Sequence, residues 1–159
     1  MVNIVGKRYF EVDRAYIAGF FDGDGAIMAV IEKHKEKRYG FRIRVIAKLS
    51  QSDDKTLLEI RKRFGFGYVK RNLRSFDWIV KDQSQVEQLI GMISPYLIAK
   101  KKQAKIALKI LDLNSNVRSR EDFLLIARLA YSLSLHNVRS QNRRINNASI
   151  VQKCFSRND

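Results

Sequence analysis

The chain is poor in the residues that brace or punctuate small proteins: it holds one cysteine, Cys154, one proline, Pro95, and two histidines, His34 and His136. A lone cysteine excludes an internal disulfide, and with only two histidines beside it no zinc site of ordinary spacing can be assembled, so reducing surroundings are expected. No proline-rich or glycine-rich linker divides the chain, and no repeat or low-complexity segment is visible. Long apolar runs are missing too: 15–21 is short and 123–135 is broken by charge, against the roughly 18 to 20 apolar residues of a membrane span. The opening Met1-Val2-Asn3-Ile4-Val5-Gly6 has no charged region leading into an apolar core and cleavage site. An intracellular protein, in cytoplasm or organelle and not secreted, is therefore expected, with no membrane partner. At 159 residues, one domain spanning 1–159 is expected.

Acidic residues are also scarce. Sixteen Asp plus Glu face 31 Lys plus Arg, a formal charge of +15 and a pI near 10.2. Such an excess sets up a positive field that draws polyanions, most commonly nucleic acid. The charges are spread along the chain rather than gathered beside an amphipathic anchor, which argues against an anionic membrane surface. An inert basic surface is the plain alternative.

Apolar periodicity supplies the elements. A first helix is expected from Asp13 as N-cap through Ala15, Ile17, Ala18, Phe20 and Phe21 to a glycine-rich end at Gly23 and Gly25. Residues 26–34 are β-branched and apolar, and 41–49 alternate strictly, with Arg42, Arg44, Ile46 and Lys48 opposite Phe41, Ile43, Val45, Ala47 and Leu49. Ser52, Asp53 and Asp54 open a helix with Leu57, Ile60 and Phe64 on one side and Gly65 as its stop. A second hairpin, 68–72 and 75–81, sets Phe76, Trp78 and Val80 against Ser75, Asp77, Ile79 and Lys81. Ser84 and Glu87 read as a capping box for a helix carrying Val86, Leu89, Ile90 and Ile93, ended at Ser94-Pro95. Helices follow over 101–111, with Ile106, Ala107, Ile110 and Leu111 inward, and over 121–135, with Ser119 and Asp122 near its start; the basic tail after Asn137 has no clear pattern. The order predicts an α+β domain, αββαββα over 13–111 with one antiparallel sheet covered on one face, and a helical extension over 112–159.

The segment Tyr16-Ile17-Ala18-Gly19-Phe20-Phe21-Asp22-Gly23-Asp24-Gly25 places two carboxylates and three glycines at the end of an apolar helix. Ala15, Gly19 and Gly23 recur every four residues, a smooth ridge along which a second helix can approach closely, so these three are the candidate dimer contacts. The carboxylates lie where the helix dipole is negative, a conflict that a cation would remove. A second copy of the helix would bring two such acids together and strengthen the demand for a divalent ion. An EF-hand beginning at Asp22 fails, because its fifth, sixth and twelfth positions would be Ala26, Ile27 and Lys33. Neither this segment nor Gly65-Phe66-Gly67 has the glycine spacing of a dinucleotide fingerprint or P-loop. A helix end with a surface Asp is the bland reading.

Residues 17–24, Ile17-Ala18-Gly19-Phe20-Phe21-Asp22-Gly23-Asp24, resemble the LAGLIDADG motif position by position, with Ile17, Phe20, Phe21 and Gly23 as variants within its loose consensus. The order of elements resembles the single-motif members of this homing endonuclease family to about residue 111. The resemblance implies a homodimeric, magnesium-dependent DNA endonuclease of intron homing, with Mn²⁺ or Ca²⁺ able to substitute for binding. It implies Asp24 as metal ligand, helped by the Gly23 carbonyl, with Asp22 capping or orienting the motif. It further implies Gln51 as the group that organises solvent, and Lys55 and Lys102 as the basic residues around the reacting phosphate. Lys55 is otherwise an exposed helix residue, and Lys102 one charge in a solvated run, 100–102. Such dimers cut both strands across the minor groove and leave short 3′ overhangs. The rival readings are an RNA maturase or splicing cofactor, with intron RNA as partner, and a non-cleaving DNA-binding regulator.

For double-stranded DNA, a two-stranded ribbon fits the major groove. The outward positions are Met28, Val30, Glu32 and His34; Arg42, Arg44, Ile46 and Lys48; Tyr68, Lys70 and Asn72; and Asp77, Ile79 and Lys81. Arginine suits guanine, asparagine adenine, and glutamate can accept from cytosine. A strand of about nine residues at ~3.3 Å rise spans ~30 Å, about nine base pairs, so two subunits would cover near twenty of a near-palindromic site.

Overall fold

The computed structural model describes residues 10–137 and 148–156. The opening segment read for a secretory signal, and most of the tail left unassigned, lie outside them. The elements are α1 (Glu11–Asp24), β1 (Gly25–Lys33), β2 (Phe41–Gln51), α2 (Lys55–Phe64), β3 (Tyr68–Arg71), β4 (Phe76–Val80), α3 (Gln83–Ile93), a 3-10 turn (Ser94–Tyr96), α4 (Lys101–Asn114), α5 (Arg120–Leu135) and α6 (Ala148–Ser156). Among the described residues no helix is long and apolar enough to cross a membrane.

The four strands form one antiparallel sheet in the order β1-β2-β4-β3. β1 and β2 pair along their whole length, from Gly25 opposite Leu49 to Lys33 opposite Phe41. Their loop closes where His34 N–H donates to the Gly40 carbonyl at 2.8 Å, with Gly40 at φ 71° supplying the left-handed turn. One sheet face carries Ile27, Ala29, Ile31, Ile43, Val45, Ala47, Leu49, Trp78 and Val80, all buried beneath the helices. Period-two burial on the strands meets period-3.6 stripes such as Leu57, Ile60 and Phe64 on α2 and Val86, Leu89, Ile90 and Ile93 on α3. Burying each such side chain stabilises by about 1.5–3 kcal/mol. Trp78 is fully buried, rests against Phe21, Phe64 and Phe66, and donates its indole N–H to the Phe66 carbonyl at 3.1 Å.

Several boundaries differ from expectation, each for a tertiary reason. α1 begins at Glu11 with Phe10 at its N-cap, not Asp13; Asp13 instead accepts from Arg63 Nη1 at 2.5 Å and ties α1 to α2. The cap of α3 is Asp82, accepting from Gln85 N–H at 3.0 Å, rather than Ser84 with Glu87. β2 pairs with β4 only over Ala47–Gln51, which leaves its upper edge bare. Side chains cover that edge: Gln83 exchanges two 2.9 Å hydrogen bonds with the backbone of Val45, and the Asn114 amide donates to the Ile43 carbonyl at 2.9 Å. That second contact lies three residues past the expected end of α4. The Ser119–Asp122 capping box at the start of α5 is present. α6 adds Val151 and Phe155 to the core, and Phe155 clusters with Tyr39 and Phe123.

Candidate functional site

α1 runs into β1 without a loop. The N–H of Gly25, the C-cap, donates to the Phe21 carbonyl, and a Cβ at this position would lie 2.5–2.7 Å from atoms of Phe21, so only glycine lets helix turn directly into strand. The last turn of α1 contains no basic residue, so Asp22 and Asp24 both face the unfavourable end of the helix dipole. They resolve the conflict differently. Asp22 accepts from the backbone N–H of Ile98 at 2.7 Å and of Lys100 at 2.9 Å, while Lys100 Nζ donates to the Asp22 carbonyl at 2.7 Å. Partial burial works against its ionisation, but the N–H groups of Ile98, Lys100 and Ala99 and the Lys100 charge hold its carboxyl below the usual range. Asp22 is thus an anchor that draws the segment leading into α4 to the foot of α1.

Asp24 is exposed, and its carboxylate accepts from Gln51 Nε2 at 2.7 Å. The register explains the meeting: with Gly25 opposite Leu49, the last residues of β2 run past the helix end. Lys55 opens α2 and Lys102 lies in the first turn of α4; both are exposed, and neither forms an ion pair among the described residues. The structure therefore joins Asp24 to Gln51 and leaves the two lysines as unengaged cations on flanking helix starts.

Among the described residues no cluster of three His, Cys, Asp or Glu side chains could hold a metal. The chain offers a single carboxylate at this point, Asp24, beside the Gly23 carbonyl, in the last turn where helical carbonyls lack intrahelical partners. That donor set suits Mg²⁺, which keeps several waters and takes one or two carboxylates plus substrate phosphate oxygens. The outer side of α1 exposes Ala15, Gly19 and Gly23, and a Cβ at either glycine would meet nothing within 4 Å. Val12 and Tyr16 stand exposed on the same helix while Ile17, Ala18 and Phe21 face the core.

The sheet face away from the helices carries the expected outward residues, and cross-strand pairs confirm a shared face: Met28 with Ile46, Val30 with Arg44, Glu32 with Arg42, Lys48 and Tyr68 with Ile79, and Lys70 with Asp77. His34, Asn72 and Lys81 lie just beyond the strand ends. Exposure is uneven. Tyr68, Lys70 and Lys81 are exposed, and Lys81 Nζ sits 5.8 Å from the centre of the Tyr68 ring. Ile46, Ile79 and Asp77 are buried despite their orientation. Glu32 accepts from Arg42 Nη2 and Arg44 Nη2, each at 2.7 Å, and the Arg44 hydrogen bond is the main cause of its lowered pKa. Asp77 accepts from Ser50 Oγ and Asn72 Nδ2, each at 2.6 Å, and from Lys48 Nζ at 3.1 Å. Ser50 is absent from the expected outward set; the alternation from Arg42 reaches it once β2 is carried past Leu49.

Comparison with known proteins agrees with this architecture. The LAGLIDADG endonuclease family pattern matches residues 17–111. The chain is 30% identical over 123 residues to DNA endonuclease I-CreI of Chlamydomonas reinhardtii, covering 76% of each chain. It is 32% identical over 124 residues to DNA endonuclease I-CvuI of Chlorella vulgaris, covering 76% of this chain and 77% of that one. The solved structure of homing endonuclease I-CvuI in complex with its target in the presence of calcium superposes with a TM-score of 0.84 at 28% identity, over 92% of this chain and 94% of that one.

Proposed function

This chain belongs to the LAGLIDADG endonuclease family, and we propose that it acts as a homodimer that cuts both strands of a long, near-palindromic DNA site, as in intron homing, with Mg²⁺ as its divalent cation. Residues 13–111 form the endonuclease core, and the described residues beyond it add helices α5 and α6. The observation that carries the reading is the 2.7 Å contact between Asp24 and Gln51 at the foot of the small-residue helix, beside an open cationic sheet.

In the dimer the Ala15, Gly19 and Gly23 ridges of two copies pack together, so the two Asp24 carboxylates converge where the DNA strands are cut. Asp24 and the Gly23 carbonyl would hold the cation, which when bound would supply Lewis-acid polarisation of the phosphate and a lowered pKa for a coordinated water. With its amide nitrogen donating to Asp24, Gln51 keeps its carbonyl oxygen to accept from the attacking water. Lys55 and Lys102 place positive charge where the phosphate and leaving oxygen gain negative charge. No histidine base or covalent nucleophile is needed. The open sheet face lies in the major groove, β1 and β2 supplying Met28, Val30, Glu32, His34, Arg42, Arg44, Ile46 and Lys48, and the second hairpin supplying Tyr68, Lys70, Asn72, Ile79 and Lys81, with Asp77 set beneath them and held by Ser50, Asn72 and Lys48. β1 has nine residues, so each subunit tracks about nine base pairs at ~3.3 Å per residue.

The test is digestion of a random double-stranded DNA library with Mg²⁺ by the unaltered protein and by Asp24→Asn. Discrete double-strand cuts by the unaltered protein, reduced at least about a thousandfold in the variant, are expected. Salt-sensitive binding with no cutting by either protein would favour a maturase or a regulator instead.

A further inference from the structure

Two carboxylates sit within the open cationic face, and they differ in depth. The Glu32 side chain keeps 31% of its exposure, whereas that of Asp77 keeps 7%. Both Asp77 oxygens are engaged: Oδ1 by Ser50 Oγ, Oδ2 by Asn72 Nδ2 and Lys48 Nζ. Burial opposes its ionisation, yet the hydrogen bonds from Ser50, Asn72 and Lys48 prevail and hold the carboxyl below its usual range.

A buried negative charge on a surface built for a polyanion weakens attraction to DNA. Its return is geometric. Lys48 is a flexible ammonium with three donors, able to reach a phosphate as readily as a base. Bonded to Asp77, it presents only its two remaining N–H groups, from the middle of the sheet, where it pairs with Ala26 on one side and Ile79 on the other. Asn72 gives one amide hydrogen to the same carboxylate and keeps its oxygen and second N–H. Phosphate contacts carry no sequence information, and base-edge contacts do.

We propose that Asp77 is a specificity-determining positioning residue, holding Lys48 and Asn72 toward base edges and keeping Lys48 off the phosphate backbone. The inference rests on the open face being the DNA-reading surface. The carboxylate touches no DNA group itself and acts through the two side chains it holds.

The experiment is selection from a randomised double-stranded DNA library, without magnesium, by the unaltered protein, Asp77→Asn and Lys48→Gln, with thermal melts of each. Asp77→Asn is expected to lose about tenfold in base discrimination at the same base pairs that Lys48→Gln relaxes. Its non-specific affinity should hold or rise, and its salt dependence should steepen by about one phosphate contact. A purely structural role would lower the melting temperature without moving discrimination or the salt slope, and that result overturns the inference. If Asp77→Asn does not fold, Ser50→Ala, which removes one bond to the same carboxylate, should relax the same base pairs about threefold; no change there overturns it equally. Absence of selective binding by the unaltered protein would overturn the DNA-reading assignment and this inference together, whereas selectivity unaltered by Asp77→Asn would remove the inference alone.

Discussion

The foot of α1 and the open face of the sheet both place acids in a chain where cations outnumber them 31 to 16, yet the two regions treat them oppositely. On the sheet each acid is surrounded by donors: Glu32 by two arginines, Asp77 by a lysine, a serine and an asparagine. At the helix end, Asp22 is held by backbone N–H groups, and Asp24 meets a single side-chain amide. Residue type alone does not mark Asp24, the carboxylate proposed to hold the cation. What marks it is coordinating capacity left over after the fold has been satisfied, at a place where the helix dipole makes a bare anion unfavourable.

Three substitutions test that contrast beyond the Asp24 and Asp77 variants. The largest effect is expected from Gln51→Ala, which removes the only side-chain partner of Asp24 among the described residues. Single-turnover cleavage should fall about ten- to a hundredfold with DNA affinity within about twofold, since in the proposed mechanism the residue acts on water rather than on the DNA. Asp22→Ala should come next, as a folding effect. Losing an acceptor for two backbone N–H groups at the entry to α4 should cost about 1–2 kcal/mol in a urea titration. The smallest effect belongs to Glu32→Gln. Its partners are partly exposed, so stability at pH 7 should drop by less than about 1 kcal/mol. The folded carboxyl titrates below its ordinary value of 4.5, so its contribution is complete above that pH and lost as pH falls through the lowered value. Variant and unaltered protein should therefore converge in stability in acid. A Glu32→Gln loss as large as that of Asp22→Ala would break the contrast drawn between the two regions.

Much of this was legible in the sequence because the relevant signals are local. Strict alternation in β2 announced both a core face and a basic face, and the spacing of Ala15, Gly19 and Gly23 marked a ridge that is exposed. Only the family resemblance puts Asp24 and Gln51 in one site, since nothing local links residues 27 positions apart; the β1–β2 register brings them into contact. The failures share a cause. Asp13 has the chemistry of an N-cap but pairs with Arg63, and the helix near Ser84 starts earlier because Asp82 caps it while Gln83 covers a strand edge. The depth of Asp77 was likewise hidden: alternation puts it outward, and only its neighbours on β2 and beside β3 close over it.

The junction at Gly25 ties two measurements into one. Because helix passes to strand within a single residue, the carboxylate at position 24 and the side chains of β1 are set directly against each other, and in the proposed complex they form a gauge with no slack between the point of cutting and the bases being read. A one-residue insertion there would not simply lengthen the gauge. With a side-chain period of two, it would either turn Met28, Val30 and Glu32 toward the core or shift the whole hairpin along the DNA relative to the scissile bond. On the proposed function, the distance from a recognised base to the break is written into the backbone at one glycine, so targets are expected to vary in sequence far more easily than in where they are cut.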